Sequence, residues 1–137
     1  MINLSIDAGT AETWHKVKGV NNFNTVIKNV EKYHKVSSRN GQITLKYIIF
    51  PGLNDSDDDF NSVIKIMKDV GTTGLDLSRD NRYKYEQDNT ENEKLIQSAA
   101  RLATLLYINR FQFGMFTFKP DEREKIIAIV KRNLQIS

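Results

Sequence analysis

Alternating apolar and polar residues predict two half-buried strands. In residues 3–7, Leu4 and Ile6 fall on one face. Two leucines in residues 74–80 follow the same alternation. Because successive side chains of a strand point to opposite faces, each segment has one apolar and one polar face. The polar faces carry Asn3, Ser5 and Asp7 in the first segment and Asp76, Ser78 and Asp80 in the second.

A further strand is predicted over residues 43–50, which are rich in β-branched and aromatic side chains and end at a Pro-Gly turn. Their nearly continuous apolarity is expected of a strand that is covered on both faces. One charge, that of Lys46, lies in the middle. Parallel α/β folds collect binding groups at the carboxyl ends of their strands, so the turn after Asp7 is predicted to face a ligand.

Helical spacing of apolar residues fills the segments between the strands. The first long stripe runs from Phe23 to Tyr33 and is followed by a turn at Asn40-Gly41. A second stripe runs from Phe60 to Met67, and the stripe after residue 90 runs to Tyr107. The predicted helix-start signals are Thr10 as an N-cap, Asp55 or Ser56 as an N-cap, Thr90 with Glu93 as a capping box, and Pro120 in a first turn.

Strands separated by helices predict right-handed βαβ units and a parallel sheet. The fold class is therefore α/β with three to four strands, residues 111–118 being the uncertain fourth. The 137 residues suffice for one domain but not for the roughly 250 of a complete eight-stranded barrel, so a barrel-like chain is an arc of one. Residues 1–137 show no linker or repeat, although the polar run 79–93 is predicted to be a long loop.

Composition disfavours several function classes. Lysine plus arginine number 20 against 17 acidic residues, without the clustered basic patch that nucleic-acid binding needs. No apolar run or leader pattern predicts membrane insertion or secretion. The absence of cysteine excludes disulfides, thiol catalysis and thiolate ligation of an iron–sulfur cluster by this chain, and fits a cytoplasmic protein. The solvated sides of two helices are predicted to carry Lys16, Lys18, Lys28, Lys32 and Lys35.

Metal sites and cofactor platforms have little support in the sequence. His15 and His34 fall on different helices without an acidic residue at a known ligand spacing. The three aspartates of residues 57–59 lack the glycine and terminal glutamate of a calcium loop, and they suit the first turn of a helix, where the dipole favours anions. Trp14 and Tyr107, at helical positions, are predicted to pack in the core.

Two segments resemble radical S-adenosylmethionine (radical SAM) enzymes. The fourth strand and following helix of that family are similar to residues 5–14, Ser-Ile-Asp-Ala-Gly-Thr-Ala-Glu-Thr-Trp, and to Lys-Gly-Val at 18–20. The fifth strand and its exit turn are similar to residues 46–55, Lys-Tyr-Ile-Ile-Phe-Pro-Gly-Leu-Asn-Asp. The sixth strand resembles residues 75–79 more loosely. Over residues 2–80 the resemblance implies the carboxyl-terminal half of a partial (β/α) barrel.

The resemblance departs from the family at the iron–sulfur cluster. In the family a Cys-x3-Cys-x2-Cys loop after the first strand binds a [4Fe-4S] cluster, and neither this loop nor the first three strands is present here. Two interpretations stay open: an expressed fragment, or a degenerate protein that lost the cluster half. A start at Met1 directly before a strand favours the fragment, because an intact partial barrel keeps the neighbours of that strand. The cluster is therefore expected in the full-length parent only.

For the site, the resemblance implies an S-adenosylmethionine pocket on the polar strand faces. Ser5 and Asp7 would lie near the ribose, and Lys46 near the methionine carboxylate. Asp76 or Ser78 would add further lining. These residue types suit the ligand, because a ribose diol needs acceptors and an α-carboxylate needs a cation. The alternative is that the polar faces meet only solvent because the barrel is open. No catalytic residue is implied in this chain.

The leading hypothesis is part of a radical SAM enzyme. That family cleaves S-adenosylmethionine reductively to a radical that abstracts hydrogen, here from a small-molecule or peptide substrate. This chain would supply the cofactor- and substrate-facing wall and would be inactive alone. The alternative is a cluster-free α/β binding or interaction module that forms homo-oligomers through its open sheet edge, since an unpaired amino-terminal edge strand invites pairing.

Overall fold

The computed structural model describes residues 2–37, 43–80 and 89–135. Helices and strands alternate as the sequence predicts, and the turn predicted at residues 40–41 lies outside the described residues. The elements are β1 (Ile2–Ser5), α1 (Ala11–Lys18), α2 (Phe23–Ser37), β2 (Ile43–Ile49), α3 (Asp57–Val70), β3 (Gly74–Arg79), α4 (Asn89–Ile108), β4 (Gln112–Gly114) and α5 (Pro120–Leu134). The strands form a four-stranded, all-parallel sheet in the order β1-β2-β3-β4, an arc of a partial (β/α) barrel.

The sheet has one covered face and one open face. In β2 every second residue from Leu45 to Ile49 is fully buried, whereas Lys46 and Ile48 between them are half-buried. The prediction that this strand is covered on both faces is therefore wrong. The sequence of β2 is nearly continuous in apolarity because its open face also carries an apolar residue, Ile48. The open face is defined by Ser5, Thr44, Lys46, Ile48, Gly74, Asp76, Ser78, Gln112 and Gly114.

The hydrophobic core lies between the covered face and the helices. The stripe predicted for α3 is confirmed, since its apolar residues from Phe60 to Met67 are buried. Tyr33 and Tyr107, predicted as core, are 48% and 54% exposed, because a tyrosine near a helix end can keep its hydroxyl in water. Fully buried core side chains include Ile6, Leu45, Tyr47, Ile49, Phe60, Met67, Leu77, Leu95, Leu102 and Ile126.

Two predicted helix caps are confirmed. The Thr10 hydroxyl accepts a hydrogen bond from the Thr13 amide at 3.2 Å, and the Ser56 hydroxyl accepts one from the Asp59 amide at 3.1 Å. Each bond satisfies one of the amides that a first helical turn leaves unpaired. Pro120 opens α5 as predicted. Among the helices of the described ranges, none is both long enough and apolar enough to cross a membrane.

The start of α4 differs from the prediction. The helix already begins at Asn89, so Thr90 lies inside it and does not act as its N-cap. Of the loop predicted over residues 79–93, Arg79 belongs to β3 and is buried, residues 89–93 belong to α4, and residues 81–88 lie outside the described residues. The guanidinium of Arg79 donates to the Glu122 carboxylate at 2.7 Å, which ties the end of β3 to the first turn of α5.

The loop after β1 packs directly against the start of α3. The Asp59 carboxylate accepts hydrogen bonds from the Gly9 amide at 3.1 Å, the Thr13 hydroxyl at 3.0 Å and the Ser56 hydroxyl at 2.8 Å. A Cβ atom on Gly9 would lie 2.1 Å from the Asp59 carbonyl oxygen, so only glycine permits this approach. The carboxyl ends of β1 and β2 are thereby fixed relative to each other.

Candidate functional site

One row of the open face crosses all four strands. Ser5 of β1 lies beside Lys46 of β2, Lys46 beside Asp76 of β3, and Asp76 beside Gly114 of β4. Adjacent strands lie about 4.8 Å apart, so neighbouring side chains of this row share one patch. The structure thus brings Ser5, Lys46 and Asp76, all predicted from the sequence as ligand-facing, into one line. Ser78 lies one step further along β3 on the same face.

The polar groups of this patch are only weakly engaged by the other described residues. Lys46 is half-buried and makes no hydrogen bond or ion pair with any described residue. The Asp76 Oδ1 and Ser78 Oγ atoms are buried and likewise have no hydrogen-bond partner in the described ranges. A buried polar atom left unsatisfied costs about 1–3 kcal/mol. These atoms are therefore places where a bound ligand or ordered water can form a hydrogen bond.

Burial also changes the acidity of this patch. Desolvation raises the pKa of Asp76 above its ordinary value, and the nearby Lys46 charge and the Phe116 backbone amide oppose the rise. The net shift of the Asp76 pKa is upward, so the folded protein stabilises the charged carboxylate less than water does. A donor placed against it would compensate for that loss.

Asp7 differs from the row because the chain itself occupies its carboxylate. The side chain is fully buried, with one oxygen accepting from the Ile48 amide at 2.8 Å and the other from the Lys18 ammonium at 2.8 Å. Lys18 is exposed, as predicted, and its ammonium reaches back to this ion pair. A carboxylate oxygen can accept more than one hydrogen bond, so contact with a ribose stays a prediction for Asp7.

Asn54 organises the same edge, although the sequence does not single it out. Its side chain is fully buried, and its amide nitrogen donates to the carbonyls of Asp7 at 2.9 Å and Ile48 at 2.8 Å. Its amide oxygen accepts from the Phe50 amide at 2.8 Å. The one local signal is an asparagine after a Pro-Gly-Leu turn, which does not reveal its partner in β1. Asn54 therefore joins the exits of β1 and β2.

A shallow groove of about 230 Å3 lies over β3 and β4 on the open face. Its lining includes Thr44, Asp76, Gln112, Gly114 and Phe116. The Phe116 side chain is 82% exposed, the largest exposure among the apolar side chains of the described ranges. The groove exists because Gly114 places no side chain beside Asp76. It adds an aromatic ring to the polar patch, a feature that the alternation pattern does not predict.

The acidic helix start and the histidines form no comparable site. Within the described residues, no group of three or more His, Cys, Asp or Glu side chains could hold a metal ion. Asp59 is instead bonded to the loop after β1. Trp14 packs against Phe23, with ring centroids 5.8 Å apart, and its indole donates to Asn22 at 2.7 Å, in agreement with its predicted core position.

Comparison of the sequence and structure with protein families, curated proteins and solved structures finds no significant match. The site is therefore interpreted from its own chemistry. Its central patch offers an unpaired ammonium on Lys46, a carboxylate on Asp76 and hydroxyls on Ser5 and Ser78. Such a set suits a ligand that carries both charges together with hydroxyl groups.

Proposed function

We propose that this chain forms the S-adenosylmethionine- and substrate-facing wall of a radical SAM enzyme. The observation that carries the proposal is the unpaired, half-buried Lys46 at the centre of the open face, between Ser5 and Asp76. A lysine in mid-strand that pairs with no described residue is expensive to bury. An anionic group of a ligand would offset that cost.

S-adenosylmethionine fits the donor set of this face. Its α-carboxylate would accept hydrogen bonds from Lys46, and its ribose hydroxyls would bond to Ser5. The Ser78 hydroxyl, which is buried without a partner, would bond to the methionine portion. Asp7 and Asn54 would hold the exits of β1 and β2 in place, so that this half of the pocket exists before the ligand binds.

The [4Fe-4S] cluster of the family does not fit this chain. Thiolate ligation needs cysteine, and the sequence has none. The proposal therefore assigns the cluster to residues outside this sequence. Alone, the chain is expected to bind S-adenosylmethionine but not to cleave it.

Calorimetric titration of the purified chain with S-adenosylmethionine tests the proposal. Lys46→Met should weaken binding at least about tenfold, because a charge-assisted hydrogen bond contributes about 1.5–3 kcal/mol. The matched control is Lys65→Met, since Lys65 is exposed on α3 away from the sheet face. Binding of 5′-methylthioadenosine, which lacks the amino-acid portion, should not change in Lys46→Met. Equal affinity of the wild type and Lys46→Met for S-adenosylmethionine would refute the assignment.

A second candidate function is self-association through the sheet edges. In the described part of the chain, β1 and β4 each pair on one side only. The Ile6 amide donates to the Lys46 carbonyl, so by alternation the Asn3 amide points away from β2 toward the open edge. If this edge assembles copies, sedimentation will show a concentration-dependent oligomer that Asn3→Pro dissociates. A monomer at all concentrations excludes this function.

A further inference from the structure

The groove beside Gly114 brings a carboxylate and an aromatic ring to one point. A Cβ atom built on Gly114 would lie 3.2 Å from Asp76 Oδ1 and 2.9 Å from Phe116 Cε2. Asp76 Oδ1 and the edge of the Phe116 ring therefore both lie against Gly114, and a side chain at this position would overlap the ring. The two side chains come from different segments, since Asp76 belongs to β3 and Phe116 follows β4.

Each of these groups has unused binding capacity. Asp76 Oδ1 is buried without a hydrogen-bond partner, and the Phe116 ring is left largely exposed to solvent. Carboxylates bind ammonium and guanidinium groups through charge-assisted hydrogen bonds, and the face of an aromatic ring attracts the same cations. A planar guanidinium can use both at once, because it donates in its plane and stacks through its face.

The chain does not satisfy Asp76 with its own cation. Lys46 is the neighbour of Asp76 in the register, but the two side chains form no ion pair. In the proposed function Lys46 is engaged by the carboxylate of S-adenosylmethionine. The Asp76 side chain is then left to bind a second ligand on the β4 side of the row.

We infer that this groove binds the basic group of the substrate, an ammonium or guanidinium held between Asp76 and Phe116. The inference deepens the proposed function and rests on it for the identity of the ligand as a substrate. The groove itself needs no S-adenosylmethionine, so its binding can be measured separately. Thr44 and Gln112, at the other side of the groove, offer polar contacts to the remainder of the molecule.

The test uses n-butylguanidinium and its uncharged isostere n-butylurea, titrated into the 15N-labelled chain and followed by NMR at the amides of Gly114 and Phe116. Butylguanidinium should bind at least about tenfold more tightly than butylurea. Asp76→Asn should remove this preference, whereas Asp58→Asn, at an exposed carboxylate in the first turn of α3, should not. Equal affinity for the two probes would overturn the inference.

Two further substitutions test the geometry of the groove and the effect of the neighbouring charge. Gly114→Ala places a methyl group between Asp76 and Phe116 and should weaken the guanidinium probe about tenfold without changing any charge. Lys46→Met removes a neighbouring positive charge and should strengthen the probe while weakening S-adenosylmethionine. This opposite response separates the two sites. Absence of S-adenosylmethionine binding to the wild-type chain, with the preference for butylguanidinium intact, would refute the proposed function alone. Unchanged probe binding in both Asp76→Asn and Gly114→Ala would refute the groove.

Discussion

The ion pair between Asp7 and Lys18 gives a quantitative prediction about the exit of β1. Asp7→Asn removes the charge from a fully buried carboxylate that accepts hydrogen bonds from Lys18 and from the Ile48 amide, both at 2.8 Å. In the variant, the side-chain amide nitrogen of Asn would face either the Lys18 ammonium or the Ile48 backbone amide, and it cannot accept a hydrogen bond from either. One of the two bonds is lost and the other is weakened.

The expected magnitude follows from the exposure of the two partners. The Lys18 side chain is 34% exposed, so the ion pair contributes about 1 kcal/mol, near the upper limit for a solvated pair. The change of the Ile48 bond from a charged to a neutral acceptor costs about 1 kcal/mol more. With an unfolding entropy of roughly 0.3 kcal/mol per K for 137 residues, the total of about 2 kcal/mol lowers Tm by about 7 °C.

A double-mutant cycle isolates the pair from the other effects. Lys18→Met removes the ammonium, which also lies 5.5 Å from the centroid of the Trp14 ring, and leaves the Asp7 charge without its partner. The two changes should show a coupling of about 1 kcal/mol in urea unfolding. Lys16→Met is the matched control, because its ion pair with Glu12 is exposed and contributes little. A Tm within about 2 °C of wild type for Asp7→Asn, or purely additive effects, would refute the reasoning.

Gly9 and Asp76 provide tests of the packing and of the open face. Gly9→Ala should destabilise the fold by about 3 kcal/mol, because the new methyl group would overlap the Asp59 backbone. The control is Gly19→Ala, which should cost only about 1 kcal/mol because Gly19 faces open space. Equal costs of the two changes in thermal unfolding would contradict the close contact at Gly9. Because burial raises the pKa of folded Asp76 above its unfolded value, protonated Asp76 favours folding, and this contribution is lost as pH rises through the folded-state pKa. Asp76→Asn should therefore raise Tm at neutral pH, and this increase should disappear at acidic pH. A lower Tm at neutral pH would contradict the desolvation argument.

The order and type of the elements could be predicted because they depend on local patterns. The caps at Thr10 and Ser56 and the alternation in β3 each need only a few neighbouring residues. The burial of β2 could not be predicted in the same way. Ile48 lies on the open face although it is apolar, and only the pairing of β2 with β1 and β3 shows which side the helices cover.

The sequence predicts which polar residues lie on the open face but not how they are arranged. Alternation placed Ser5 and Asp76 on polar faces, and the mid-strand charge identified Lys46. That the three share one row depends on strand register, which joins residues far apart in the chain. The alternation pattern does not identify Phe116, because its position over Gly114 depends on the turn after β4 and not on a periodic element.

The polar residues at this end of the sheet divide into two groups by their hydrogen bonding. Asp7, Asn54 and Asp59 are buried and bonded to backbone amides, carbonyls or hydroxyls of other segments, so they stabilise the edge. Four buried side-chain polar atoms of the described residues have no partner, and two of them, on Asp76 and Ser78, lie on the open face. Folding alone does not explain this placement, because apolar residues there would avoid the desolvation cost. The division therefore separates residues that hold the fold from residues available to a ligand, and it predicts that substitutions in the first group lower stability while substitutions in the second lower affinity.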